Sequence, residues 1–125
     1  MTTRLWQQLE GGLVFAAALT LALFLDGGFV WWAAVLIFFA PDLSFGAYAA
    51  GPRIGAFVYN LVHIYAFGAV IFAAGIVFAQ PALIAVGALW LGHSGFDRMM
   101  GYGLKLPEGF EHTHLGPIGS AAKNR

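Results

Sequence analysis

IGAFVYNLVHIYAFGAVIFAAGIVFA, residues 54–79, is the longest apolar run in the chain and decides its class. At 1.5 Å per residue, a helix over this run outreaches the roughly 30 Å of hydrocarbon in a bilayer. Only Tyr59, Asn60, His63 and Tyr65 interrupt it. Gly51-Pro52-Arg53 precedes it as a turn, with Pro52 suited to a first helical position. Gln80-Pro81 closes it. The run therefore reads as one membrane span.

Toward the N-terminus, Phe29–Ala40 is apolar but too short to span alone. Either the helix continues past Pro41 and Asp42 to Ala50 with a kink, or it ends at Ala40 and Asp42 caps a short second helix, LSFGAYAA. Asp26-Gly27-Gly28 is a turn, and a first helix covers Leu5–Leu25 with Trp6 as interfacial anchor. Arg4 ahead of the apolar run invites comparison with a secretory signal. Glu10 lies directly before that run and no small-x-small site follows it, so the segment reads as a retained span. Toward the C-terminus a fourth span covers Ala82–Met100, its apolar part ending at Gly92. The expected spans are 5–25, 29–50, 54–79 and 82–100, and the tail 101–125 is too polar and glycine-interrupted for a fifth. Small residues recur at Gly55, Ala56, Gly68, Ala69, Gly75, Gly87, Ala88 and Gly92, as close helix packing in lipid favours.

Composition agrees. Of 125 residues, 60% are hydrophobic and 10% charged, with mean hydropathy +0.78. A soluble domain carries about 25% charged residues. Zero formal charge excludes a nucleic-acid binder, which needs a basic patch. The lack of cysteine removes disulfides, thiolate zinc sites and iron–sulfur clusters. The basic residues Arg4, Arg53, Arg98, Lys105, Lys123 and Arg125 fall in or beside the N-terminus, the second loop and the tail. The Asp26–Gly28 and Gln80–Pro81 loops hold none. The positive-inside rule then puts both termini in the cytoplasm, with Trp31 and Trp32 at the outer interface.

The polar residues gather in LGHSGFDRMMGYGLKLPEGFEHTHLG, residues 91–116, and in a few positions of the spans. His63 lies about 15 Å from the cytoplasmic end of its helix, Asn60 about 10 Å, and His93 about 17 Å from the opposite end of the next. Asp42 sits about 12 Å inside if its helix continues. Asn60 with His63, and His93 with Asp97, each share a helix face. Ionisable groups inside spans are costly and point to function. The structural readings stand beside this: Asp42 as a cap, Asn60 with Tyr59 or Tyr65 as interhelical glue, His63 as a satisfied core histidine, Arg98 and Lys105 as snorkelling anchors, and His112 and His114 as surface residues.

Three chemistries fit. One is a divalent metal on His63, His93 and His112 or His114, with Asp42 or Asp97 as ligand or orienting partner. The second is bis-histidine haem b on His63 and His93. The third is recognition of a lipid phosphate by Arg98, Lys105 and the histidines.

The combination FAPDLS, GPRIGAFVYNLVH and WLGHSGFDRMMGYGLKLPEGFEHTHLG resembles a family of small bacterial integral membrane proteins catalogued as a domain of unknown function, with the ending GYGLK-x-P-x-GF-x-x-THLG. The resemblance covers Leu13 to Gly119. It implies a compact four-helix membrane protein with recurrent Asp42, Asn60, His63, His93, Asp97, Arg98, Lys105 and His114, and it implies no activity.

The expectation is an all-α, four-helix transmembrane bundle of one domain in the bacterial inner membrane. Its tail, residues 101–116, folds over the cytoplasmic mouth so that Phe110, His112 and Leu115 gain partners. Function centres on a metal-dependent or acid–base site for a lipid-like or small apolar substrate. His63, His93, His112 and His114 are metal candidates, Asp42, Asp97, Arg98 and Lys105 catalytic candidates, and Asn60 and Tyr102 supporting groups. The alternatives are a non-catalytic subunit of a larger membrane complex, or of a homo-oligomer, and a haem electron carrier. Membrane lipid is the expected surrounding partner.

Overall fold

A computed structural model describes residues 1–123; Arg125, the last of the six basic residues counted above, lies outside them. The chain is mostly helical. Helices α1 (Thr3–Phe24) and α2 (Trp31–Phe39) are followed by a 3₁₀ segment, Ala40–Ala50. Then come α3 (Pro52–His63), α4 (Tyr65–Val77) and α5 (Pro81–Met99). Strands β1 (Lys105–Leu106) and β2 (Gly109–Thr113) form an antiparallel hairpin before α6 (Gly119–Lys123). Among the described residues, two helices are long and apolar enough to cross a membrane, Thr3–Phe24 and Trp31–Ala50. Taken as one span, α3 and α4 make a third. α5 is not among them, because its second half carries His93, Ser94, Asp97 and Arg98.

The distribution of polarity is inverted relative to a water-soluble fold. Leu13, Leu23, Phe24, Trp31, Leu43, Phe57, Val70 and Val77 all lie exposed. The buried side chains include His63, His93, Ser94, Asp97, Arg98, Lys105 and Thr113 among small apolar ones such as Ala18, Ala56, Ala85 and Ala88. In water so much exposed apolar surface would drive association; in lipid it is the solvated face.

α5 is the central element, with α1 along one side and α4 along another, while α3 packs on the 3₁₀ segment. Glycines allow these approaches. A Cβ on Gly68 would meet the backbone N of Leu91 at 2.6 Å, and one on Gly75 the backbone N of Ile84 at 2.6 Å.

Two features depart from the expected spans. Residues 54–79 do not form one rod: Ile64 is extended (φ −73°, ψ 150°), and α3 and α4 meet at 45°. No Gly or Pro marks this break. Its freed carbonyls are instead taken by side chains of α5, Trp90 Nε1 donating to Val62 O (2.8 Å) and Arg98 Nη2 to His63 O (2.9 Å). Buried carbonyls need such partners, which makes the break affordable. The second difference follows Pro41. The chain neither ends at Ala40 nor continues as α-helix, but tightens into a 3₁₀ run far longer than the usual three or four residues.

Both α4 and α5 are closed at their C-terminal ends by a left-handed residue. After α5, Gly101 (φ 85°) lets the Tyr102 N–H reach Asp97 O (2.8 Å) and its own N–H reach Arg98 O (3.0 Å). This reversal sends the tail back toward α3. After α4 the same pattern is built on Ala79 (φ 52°), with Gln80 N–H donating to Gly75 O (2.9 Å). An L-residue there costs about 1–2 kcal/mol that glycine does not. Ala79→Gly is therefore expected to stabilise the fold by about 1 kcal/mol, net of glycine's greater unfolded-state entropy, and to raise the thermal midpoint in detergent. An unchanged or lower midpoint contradicts it.

The hairpin is an element that the all-α expectation lacks. Asn60 holds it, its side-chain amide donating to Lys105 O (2.8 Å) and its Oδ1 accepting from Lys105 N–H (2.6 Å). The N-terminal helix reaches the same region, with Arg4 Nη1 donating to Leu115 O (3.1 Å).

Candidate metal centre

Three elements bring four ionisable side chains to one point. α3 supplies His63 from its last turn, α5 supplies His93 and Asp97 one turn apart, and the 3₁₀ segment supplies Asp42. His63 and His93 are fully buried, Asp97 nearly so, and the Asp42 side chain is 33% exposed. One ligand atom from each lies within 4.8 Å of every other.

The distances are short and alike. Asp42 Oδ1 is 3.3 Å from His63 Nε2 and 3.1 Å from His93 Nε2. Asp97 Oδ2 is 3.6 Å and 3.4 Å from the same two atoms, and the two Nε2 atoms are 3.3 Å apart.

The tautomer of His63 is set from behind. Its Nδ1 lies 2.7 Å from Tyr59 O, which can only accept, so Nδ1 carries the hydrogen. In the neutral ring Nε2 is then a lone pair facing two carboxylate oxygens and a second imidazole. The ring is also stacked on Tyr59 (3.7 Å between centroids), itself stacked on Phe45 (5.5 Å). His93 meets the edges of Phe38 and Phe39 at 5.4 and 6.1 Å. Its Nδ1 is buried without a partner among the described residues. Tyr59 Oη donates to Asp97 Oδ2 (3.3 Å), orienting that carboxylate.

A cavity of about 360 Å³ adjoins the cluster, lined by both carboxylates and by Phe45, Tyr59, Lys105 and Phe110. Burial pushes the Lys105 amine down to about 8, against the opposing pull of Asp97 and Asp42.

A family model described as a domain of unknown function, DUF4260, matches residues 4–118. The chain belongs to the DUF4260 family. Comparison with curated proteins and with solved structures gives no match. The matched residues of the DUF4260 chain include all four cluster residues, the α3–α4 break and the hairpin.

Of the residues singled out from sequence, the DUF4260 fold brings Asp42, His63, His93 and Asp97 together and leaves the tail histidines out. His112 is exposed. His114 turns to the hairpin, its Nδ1 accepting from Leu104 N–H (2.8 Å). Arg98 is committed to two carbonyls, those of His63 and of Tyr102 (3.1 Å), and does not reach into the cluster. Lys105 and Tyr102 line the cavity, and Asn60 serves the tail.

A haem between His63 and His93 finds no support here. Its iron needs the two Nε2 atoms about 4 Å apart across an empty plane. They stand at 3.3 Å, with carboxylate oxygens at that level.

Tyr59, Phe45 and Phe110 join the site from outside the metal, catalytic and supporting groups expected from sequence. Tyr59 had a readable signal, lying one turn before His63 on the same face. Phe110 is legible only as an apolar tail residue in need of a partner, and Phe45 carries no signal, since an aromatic in an apolar helix looks like any other.

Proposed function

We propose that this DUF4260 protein is a four-span inner-membrane protein with cytoplasmic termini and a tail over the bundle mouth. In it Asp42, His63, His93 and Asp97 bind one divalent transition metal that acts on a lipid-like or small apolar substrate. One observation carries the metal: ligand atoms around an ion at 2.0–2.2 Å in a tetrahedron are about 3.3–3.6 Å apart. The five distances given above run from 3.1 to 3.6 Å. Lone pairs at this spacing need a positive charge among them, which a proton on His93 Nε2 or a metal ion can supply; the near-tetrahedral spacing of the whole set favours the metal. A nitrogen and oxygen set without sulfur suits zinc first, then iron or manganese.

A bound metal would lower the pKa of water or polarise a substrate oxygen. The protein's own groups set the rest. Tyr59 O fixes the His63 ring, and the Tyr59 hydroxyl fixes Asp97. The exposed side of Asp42, facing the cavity, is the ligand best placed to shift and admit a fifth group. Phe38 and Phe39 shield the far side of His93 from water. His93 Nδ1 finds no acceptor among the described residues, whereas ligating imidazoles usually donate from their second nitrogen.

Elemental analysis of protein purified in detergent without chelator tests the proposal. One divalent ion per chain is expected, with loss of thermal stability when chelator removes it. Sub-stoichiometric metal together with a midpoint indifferent to chelator rejects it.

A further inference from the structure

Lys105 is 4% exposed, yet among the described residues its ammonium makes no hydrogen bond and no ion pair. Its Nζ lies 3.7 Å from the ring centroid of Phe110 and 4.9 Å from that of Tyr59. Asp42 and Asp97 line the same cavity but point their ligand atoms at the imidazoles rather than at the amine. The stem of Lys105 is buried while its ammonium opens on the cavity, where the ring faces replace only part of its hydration and leave it available to an anion.

Metal loading sharpens the imbalance. Two carboxylates balance a divalent ion, and the Lys105 charge is then left without a counter-charge among the residues lining the cavity. Arg98 is turned away onto carbonyls, so Lys105 is the cation that a ligand meets. The cavity between amine and cluster is at the small end of the 300–1,000 Å³ that hold ligands, and Phe45, Tyr59, Tyr102 and Phe110 give it an aromatic side alongside the carboxylates and the amine.

We infer that this cavity binds an organic oxyanion with a compact apolar body, its charged head between Lys105 Nζ and the metal position and its body against Phe45, Tyr59 and Phe110. This rests on the metal reading and names the chemistry of the substrate or product that the centre handles.

Co²⁺ in place of the native ion gives visible bands that respond to a new ligand, so the two readings separate. Purified protein reconstituted with Co²⁺ is titrated with benzoate and with phenylphosphonate, which tell a carboxylate from a phosphoryl head, and with acetate as the bodiless control. At least one aromatic anion is expected to shift the bands and to bind about tenfold or more tighter than acetate. Lys105→Met is expected to keep the Co²⁺ bands and weaken that anion by about tenfold, the scale of a lost charged contact, while Lys105→Arg retains binding. No Co²⁺ bands in the unaltered protein overturns the metal reading beneath. Bands that both aromatic anions leave untouched, or an unaltered affinity in Lys105→Met, overturn the anion site alone. Should Lys105→Met not take up Co²⁺, the comparison of aromatic anions with acetate on the unaltered protein decides, and equal affinities reject the inference.

Discussion

Replacing His63 or His93 with alanine is expected to weaken Co²⁺ or Zn²⁺ binding by about a hundredfold or more. Loss of an outer-shell partner alone costs about 10–100-fold, and a direct ligand should cost at least as much. Each histidine supplies one corner of the cluster, and no other described imidazole can take its place: His112 is exposed and His114 is engaged with Leu104 N–H. His112→Ala is therefore the control, with affinity expected within about twofold of the unaltered protein. The same loss appears as stability. A ligand at a hundred times its dissociation constant adds about 2.7 kcal/mol. For a chain of this size that moves the thermal midpoint by roughly 10 °C. The unaltered protein should show this shift on metal addition, and both alanine variants should not. Because the ligands must shed protons to bind, affinity should also fall as pH is lowered. Equal affinities in the two variants and the unaltered chain would remove the centre.

Gly11→Ala or Gly95→Ala is expected to be among the most damaging changes away from the centre. A Cβ at Gly95 would meet Gly11 O and Phe15 N at 2.7 Å, and one at Gly11 would meet Gly95 O at 2.7 Å and Met99 N at 2.8 Å. These obstacles are mostly backbone atoms, which cannot rotate aside, so the helices must separate by the better part of an ångström. Overpacking of this kind costs about 1–3 kcal/mol. It also displaces α5 between His93 and Asp97, and a misplacement near 1 Å spoils a ligand set. Both thermal stability and metal affinity should drop together. Gly12→Ala is the internal control, since its Cβ would meet only the flexible Met99 side chain, at 3.4 Å. Gly46 has nothing within 4 Å and should also accept alanine within about 0.5 kcal/mol. If Gly11→Ala and Gly12→Ala melt alike, the close crossing of α1 and α5 is wrong.

The parts of this centre that could be read in the sequence follow from helix geometry. His93 and Asp97 share a face by spacing alone, and counting rise from the turns at Arg53 and Gln80 brings His63 to the depth of His93. Asp42 was readable only as one of two options at Pro41, and a 3₁₀ continuation was neither. The family resemblance rested on motifs that the DUF4260 match covers. What escaped was set by distant partners. The break after His63 has no local marker because its donors, Trp90 and Arg98, lie a helix away in sequence. The hairpin at Lys105–Thr113 depends on the amide of Asn60, again far along the chain. His114 was a plausible ligand until a backbone N–H ten residues earlier claimed its nitrogen.

The 45° turn between α3 and α4 has an owner outside both helices. Nothing in residues 52–77 asks for a corner; the corner stands because an indole and a guanidinium on α5 accept responsibility for two orphaned oxygens. A change at Trp90 or Arg98 would thus be felt as a change in the heading of a neighbouring rod, and the imidazole at the bend would swing with it.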